Sequence, residues 1–334
     1  MYKTSEYSLS FFKTLLISII VLCIFNLNLY AQTNENKTKK IAYLVSDIKI
    51  PFWEIISKGI KSQAAKKGYE VVIYSANNLK QEEIKNTVRA INEKMDGIII
   101  SPINSSTAVT ALRFANSANI PVVIADIGTD RGEYLSFISS NNYDGAYQIG
   151  KILAEKMQTL NIDKKGTVGI IAIPQQRANG KARTKGFMSA LDKSKIKVTG
   201  LLQQETFKYQ ETYDYTLTLI KNNPNLKAIW LQTSNNYQAA LDAIEISNKT
   251  NEILLVSFDA EPEFLNLIPK GIIISAAMQQ PFLMGEQSIE ALDKFFHGKL
   301  VEQENQLKIL AISTNNIEEK LPLIKRNVLG LIKR

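Results

Sequence analysis

Two aspartates and one pair of adjacent aromatics carry most of the chemical potential of this chain. Asp126 follows the apolar run Val122-Val123-Ile124-Ala125, and Asp259 follows Val256-Ser257-Phe258. A residue just past a buried strand faces the ligand crevice of an open α/β sheet, so both carboxylates suit hydrogen-bond acceptors aimed into one cleft. The same placement also suits helix capping or hydrogen bonding within a hinge. Phe52-Trp53 close a loop that begins at Ser46. There the two rings can stack on a flat or ring-shaped ligand, or begin the buried face of the next helix, and both roles are compatible.

Catalytic machinery has few candidates. The single histidine, His297, lies in Phe296-His297-Gly298-Lys299 at a helix end, where a solvated role is expected. Cys23 is the only cysteine, so neither a Ser/His/Asp nor a Cys/His set can be assembled. The loop after the first strand contains no glycine, which removes the dinucleotide fingerprint, and no Gly-Lys-Ser or Gly-Lys-Thr phosphate loop occurs. The chain reads as a binder, with no enzymatic activity and with neither cofactor nor metal.

The elements that must position these residues alternate. Ile41–Val45 is a continuous apolar run, as in a parallel strand covered on both faces, and Phe52, Ile55, Ile56, Gly59, Ile60 and Ala64 follow at helical spacing. Pro51 suits the first turn of that helix. Strands are expected at 70–74, 97–100, 121–125 and 137–138, with helical stripes between them. A second series runs through strands at 166–173, 198–203, 228–231, 253–256, 272–274 and 307–312. This βα repetition implies two doubly wound parallel-sheet lobes of α/β class. The alternation breaks near Asn141-Asn142, Gln279-Gln280-Pro281 and Lys308-Ile309. The expected first lobe is therefore 39–140 plus 280–308, and the second 141–279 plus 309–325, with a basic tail at 326–334. Three crossings would form the hinge.

Composition agrees with a globular, exported protein. Over 334 residues the chain is 45% hydrophobic and 22% charged, long enough for two domains. Its net charge of +8 comes from dispersed lysines and not from a basic block interleaved with aromatics, so nucleic acid is a poor partner. Lys3 and Lys13 precede an uncharged run from Leu15 to Phe25, and Leu29-Tyr30-Ala31 ends it. That is the pattern of a secretory signal peptide over 1–31, cleaved after Ala31, followed by a polar spacer at 32–38. The run is short beside the about 20 residues of a membrane span, and retention as an anchor is the alternative. A mature chain without cysteine has neither disulfides nor Cys-based zinc sites.

Several stretches carry a family resemblance in the right order over nearly the whole mature chain: Ile50-Pro51-Phe52-Trp53, Asp96–Pro102, Asn119–Val123, Ala125-Asp126, Arg183–Phe187, Phe258-Asp259 and Gln279-Gln280-Pro281. They resemble the type I periplasmic solute-binding proteins, most nearly the ribose-binding group. The resemblance implies two lobes that close on a sugar-like molecule and hand it to a membrane ABC permease, or report it to a sensor kinase. It also implies a periplasmic monomer. Phe52, Trp53 and Phe207 correspond to ring-stacking aromatics, Asp126 and Asp259 to acceptors, and Gln279 to a hinge-side amide. The pocket arginine of the second lobe aligns with Lys181, and a pocket asparagine with Thr233. Ile50 and Ile127 stand where the ribose binder has polar side chains. Those departures argue against ribose, because buried hydroxyls left unpaired cost about 1–3 kcal/mol each. A less hydroxylated or larger, partly apolar ligand is expected, and a furanosyl signalling molecule is an alternative. An exported α/β enzyme is disfavoured by the shortage of His, Cys and phosphate loops. The lactose-repressor family shares the fold but begins with a DNA-binding helix-turn-helix, whose place a signal sequence takes here.

Overall fold

The computed structural model describes residues 38–331. The expected signal peptide, nearly all of the spacer, and the last residues of the expected tail lie outside them. In chain order the strands are β1 (Lys40–Val45), β2 (Glu70–Ser75), β3 (Gly97–Ser101), β4 (Val122–Ala125), β5 (Ser136–Ser140), β6 (Thr167–Ala172), β7 (Lys197–Gln203), β8 (Leu226–Leu231), β9 (Leu254–Phe258), β10 (Ser275–Met278), β11 (Glu304–Leu307) and β12 (Leu310–Ser313). They form two six-stranded sheets, ordered β11-β5-β4-β3-β1-β2 and β12-β10-β9-β8-β6-β7. All pairings are parallel except β10 with β12.

The two orders correspond strand for strand, so Asp126 after β4 and Asp259 after β9 occupy equivalent places. The chain leaves the first sheet after Ser140, returns after Met278, and crosses once more between Leu307 and Leu310. Central strands such as β3 and β4 are buried along their whole length, which is why their sequences show no alternation.

The helix Pro51–Lys67 starts with proline in its first turn and stops at Gly68, whose φ of 72° only glycine adopts without strain. Tyr69 then donates its amide to the Ala64 carbonyl at 2.9 Å, closing the end of the helix. This helix crosses the helix Pro281–Phe296 in backbone contact: a Cβ on Gly59 would sit 2.0 Å from the Phe282 carbonyl oxygen, and one on Gly285 2.2 Å from that of Ile56. Two large sequence segments are thereby locked into one face of the first sheet.

Two expected strands differ. The strand expected at 272–274 begins at Ser275, because Gly271 at φ 71° turns the chain and the amides of Ile272 and Ile273 both donate to the Leu267 carbonyl. The single strand expected at 307–312 is two strands in different sheets, divided at Lys308 and Ile309. Residues 327–329, which composition assigns to the basic tail, are buried; Ile324, Val328 and Leu329 pack into the core of the second sheet.

Candidate functional site

A cavity of about 530 Å³ opens at the carboxyl ends of the strands, lined from both sheets. Its two carboxylates share one local device. Asp126 has φ 73° and Asp259 φ 66°. Each donates its amide to the neighbouring strand, Asp126 to the Ile138 carbonyl at 3.0 Å and Asp259 to that of Ala277 at 2.8 Å. The left-handed turn takes the residue off the strand end, and aspartate tolerates that region better than most residues. Asp126 is 6% exposed. Burial pushes its carboxyl up to about 6, Arg183 pulls it down, and Asp259 pushes it up again. Asp259 is also raised by burial, against Arg183 and the Gln279 amide, which donates to Asp259 Oδ1 at 2.7 Å.

Arg183 is the counter-charge. It lies on the buried face of the helix Ala178–Lys193, 3% exposed. Its Nε donates to Asn142 Oδ1 at 2.8 Å and its Nη1 to the Gln232 carbonyl at 2.7 Å. Nη1 also stands 3.5 Å from Asp259 Oδ2, and the guanidinium lies 3.8 Å from the Phe258 ring centroid. Burial lowers its basicity, opposed by both aspartates. With its fork fixed by hydrogen bonds and an aromatic face, it presents a rigid, preorganised donor set. Arg177 adds a second guanidinium to the wall, 5.8 Å from the Phe207 ring centroid, its basicity lowered by burial and supported by Asp126.

The aromatics frame the cavity. Trp53 is both core and wall: it is 5% exposed, packed into the core of the first sheet, and lines the cavity. Phe52 and Phe207 are half-buried on the same cavity. Phe207 is held by Glu211, which accepts its amide at 2.8 Å, and by Asn236, whose side chain donates to its carbonyl at 2.8 Å. Thr233 and Gln279 also line the cavity.

Of the residues expected from sequence, Phe52, Trp53, Asp126, Phe207, Thr233, Asp259 and Gln279 come together around one cavity. Lys181 does not. It is exposed, because two residues along a helix turn the side chain about 200° away from Arg183, which occupies the inward position. Ile127 is 1% exposed in the core of the first sheet and does not line the cavity, whereas Ile50 does. Sequence reading assigned no site role to Arg183, Arg177, Asn235 or Asn78. Arg183 had a signal: it shares a helical stripe with Gly180, Phe187 and Ala190, a charge placed where a core residue belongs.

Three buried polar atoms on this wall have no hydrogen-bond partner in the protein: Asp126 Oδ1, Gln279 Oε1 and the Trp53 indole N–H. The indole faces Asp126 without completing a well-formed bond. Two acceptors and one donor together match a molecule whose groups both donate and accept, as hydroxyls do. Among the described residues no cluster of metal-ligating side chains occurs.

Comparison with known proteins adds the context. The periplasmic binding protein domain family model matches residues 41–300. The ribose import binding protein of Bacillus subtilis (strain 168) is 27% identical over 302 residues, covering 89% of this chain and 95% of that protein. The D-allose-binding periplasmic protein of Escherichia coli (strain K12) is 23% identical over 284 residues, covering 82% and 90%. Among solved structures, an ABC transporter periplasmic solute binding protein from Actinobacillus succinogenes 130z with bound D-allose superposes with a TM-score of 0.77 at 21% identity, covering 84% of this chain and 100% of that one.

Proposed function

This chain belongs to the periplasmic binding protein family, in its type I, ribose-binding-like group, and from that premise we propose that it is an exported solute-binding protein that captures a sugar or sugar-like molecule for a membrane ABC importer. The observation that carries the ligand class is the set of unpartnered buried groups on Asp126, Gln279 and Trp53 beside the fixed Arg183 fork. Each buried group left unpaired costs about 1–3 kcal/mol, and sugar hydroxyls satisfy donors and acceptors alike. Phe52, Trp53 and Phe207 supply ring faces for the apolar side of the sugar. Thr233 borders the same site, and Arg183 takes the role first assigned to Lys181.

Relatives bind ribose and D-allose by name, and Ile50 on the cavity wall favours a ligand less hydroxylated than ribose on that edge. The lobes of the binding cycle are 39–140 with 280–308, and 141–279 with 309–329. The hinge is their three crossings. The Gln280 amide supports one of them, donating to the Lys308 carbonyl at 2.7 Å. The mature protein begins near Gln32, and the chain acts as a binder without catalysis. A thermal-shift screen of pentoses, hexoses, polyols and amino acids tests the reading. A sugar hit raises Tm because binding adds RT ln(1 + [L]/Kd) of stability; a response confined to amino acids would refute it.

A further inference from the structure

The cleft continues past the Asp259–Gln279 pair. A second cavity of about 240 Å³ lies on the other side of Phe52, Asn235, Asp259 and Gln279, which line both spaces. The two differ in chemistry. The main cavity carries three aspartates and two arginines, whereas the second has no arginine and its largest wall is Ile55, Pro262, Pro281, Val328 and Leu329. Its charged groups are already engaged: Glu261 accepts from Ser234 Oγ at 2.8 Å, and Lys58 pairs with Glu54 at 2.9 Å on the exposed rim.

The far wall is firmly held. Arg326 donates to both oxygens of Glu286, at 2.8 and 2.7 Å, and Asn327 Nδ2 donates to Gln280 Oε1 at 2.8 Å. These bonds tie the chain end to the helix Pro281–Phe296 while Val328 and Leu329 pack into the second core.

We infer that this compartment receives an apolar substituent of the captured sugar, so the ligand class is a glycoside with a small alkyl or aryl aglycone. The inference rests on the sugar reading above. A sugar ring finds fixed guanidinium donors beside unpartnered buried acceptors only in the main cavity, and a hydroxyl pushed past Gln279 meets mostly proline and aliphatic carbon, with the carboxylates there already bonded. An apolar group there leaves water without losing hydrogen bonds. The two spaces adjoin at Phe52, Asn235, Asp259 and Gln279, and the inferred ligand extends from one into the other past these residues.

Calorimetric titration of the mature protein separates the possibilities, using D-ribose, D-allose and the other pentoses and hexoses of the thermal-shift screen, each free and as its methyl and phenyl glycosides, as both anomers. For a sugar that binds, one phenyl anomer is expected to bind about tenfold or more tightly than the free sugar. Ile55→Trp, which fills the compartment from one side, removes that gain and leaves the free sugar within about twofold. Pro262→Phe does the same from the opposite, exposed wall. Glycosides no tighter than the free sugar, or a gain undiminished in both variants, overturn the inference and leave the sugar reading standing. Absence of binding by free sugars and glycosides alike overturns both.

Discussion

Asp126→Asn should make the ligand-free protein more stable while weakening it as a receptor. The carboxyl of Asp126 is raised from an ordinary 3.8 to about 6, chiefly by burial. The folded protein therefore holds this proton more tightly than the unfolded chain, and folding takes up a proton between about pH 4 and 6. Above that window the buried charge opposes folding; the opposition fades as pH falls and the group protonates. A shift of about 2 units corresponds to at most about 3 kcal/mol. Asparagine keeps the shape, tolerates the left-handed turn and cannot ionise. At pH 7.5 the variant should exceed the wild type by up to about 3 kcal/mol, or roughly 3–6 °C in Tm, and the gap should close toward pH 4. Loss of the charged acceptor should weaken ligand binding by about 1.5–3 kcal/mol, roughly ten- to hundredfold. Urea unfolding of both proteins from pH 4.5 to 7.5 measures the difference directly. Carboxylates remote from Asp126 titrate equally in the two and cancel, whereas Asp259, whose charge raises Asp126, is relieved of that neighbour in the variant. A variant less stable at pH 7.5, or a gap that does not change with pH, would refute the reasoning.

Further outcomes follow from the same geometry. Arg183→Met removes the counter-charge of the partly buried Asp259 and should cost up to about 3–5 kcal/mol of stability; Arg183→Lys retains charge without the fork, and calorimetry should show folded protein with weakened ligand binding. Trp53 and Trp230 are the only tryptophans, and Trp230 stacks on Phe187 at 4.0 Å in the second core. In a Trp230→Phe variant the emission therefore reports the cleft, and it should change saturably with ligand, whereas an unresponsive signal would count against the stacking role. Gly285→Ala would force the two crossing helices apart and should lower the urea midpoint. Truncation after Leu323 exposes the sites of Ile324, Val328 and Leu329 and should destabilise by several kcal/mol, at about 1.5–3 kcal/mol for each fully buried side chain; an unchanged midpoint would show the chain end to be dispensable.

Much of this was legible because buried parallel strands announce themselves. Val122–Ala125 is apolar without interruption and Val256–Phe258 is broken only by the small Ser257, and the residue that follows each is fixed at the crevice by topology alone. Phe52 and Trp53 were visible because they close the loop that follows such a strand. Arg183 was less visible because local likeness favours Lys181, and only helical phase tells the two apart. The chain end was obscured by charge: Lys325 and Arg326 separate Ile324 from Val328 and Leu329, and the burial depends on a sheet whose strands are scattered between Thr167 and Ser313 in sequence. The turn at Gly271 displaced a strand because three isoleucines satisfy a strand pattern even where a left-handed residue diverts the amides of the first two, Ile272 and Ile273, into a loop.

Calorimetric titration of the mature wild-type protein with the sugar that gives the largest thermal shift is the most direct test of capture between the two sheets. One molecule should bind per chain, with a negative heat-capacity change from burial of the ring faces. Asp126→Asn and Asp259→Asn should each weaken it about tenfold or more while the proteins remain folded. Unchanged affinity in both variants would place the ligand outside this cavity and contradict the assignment.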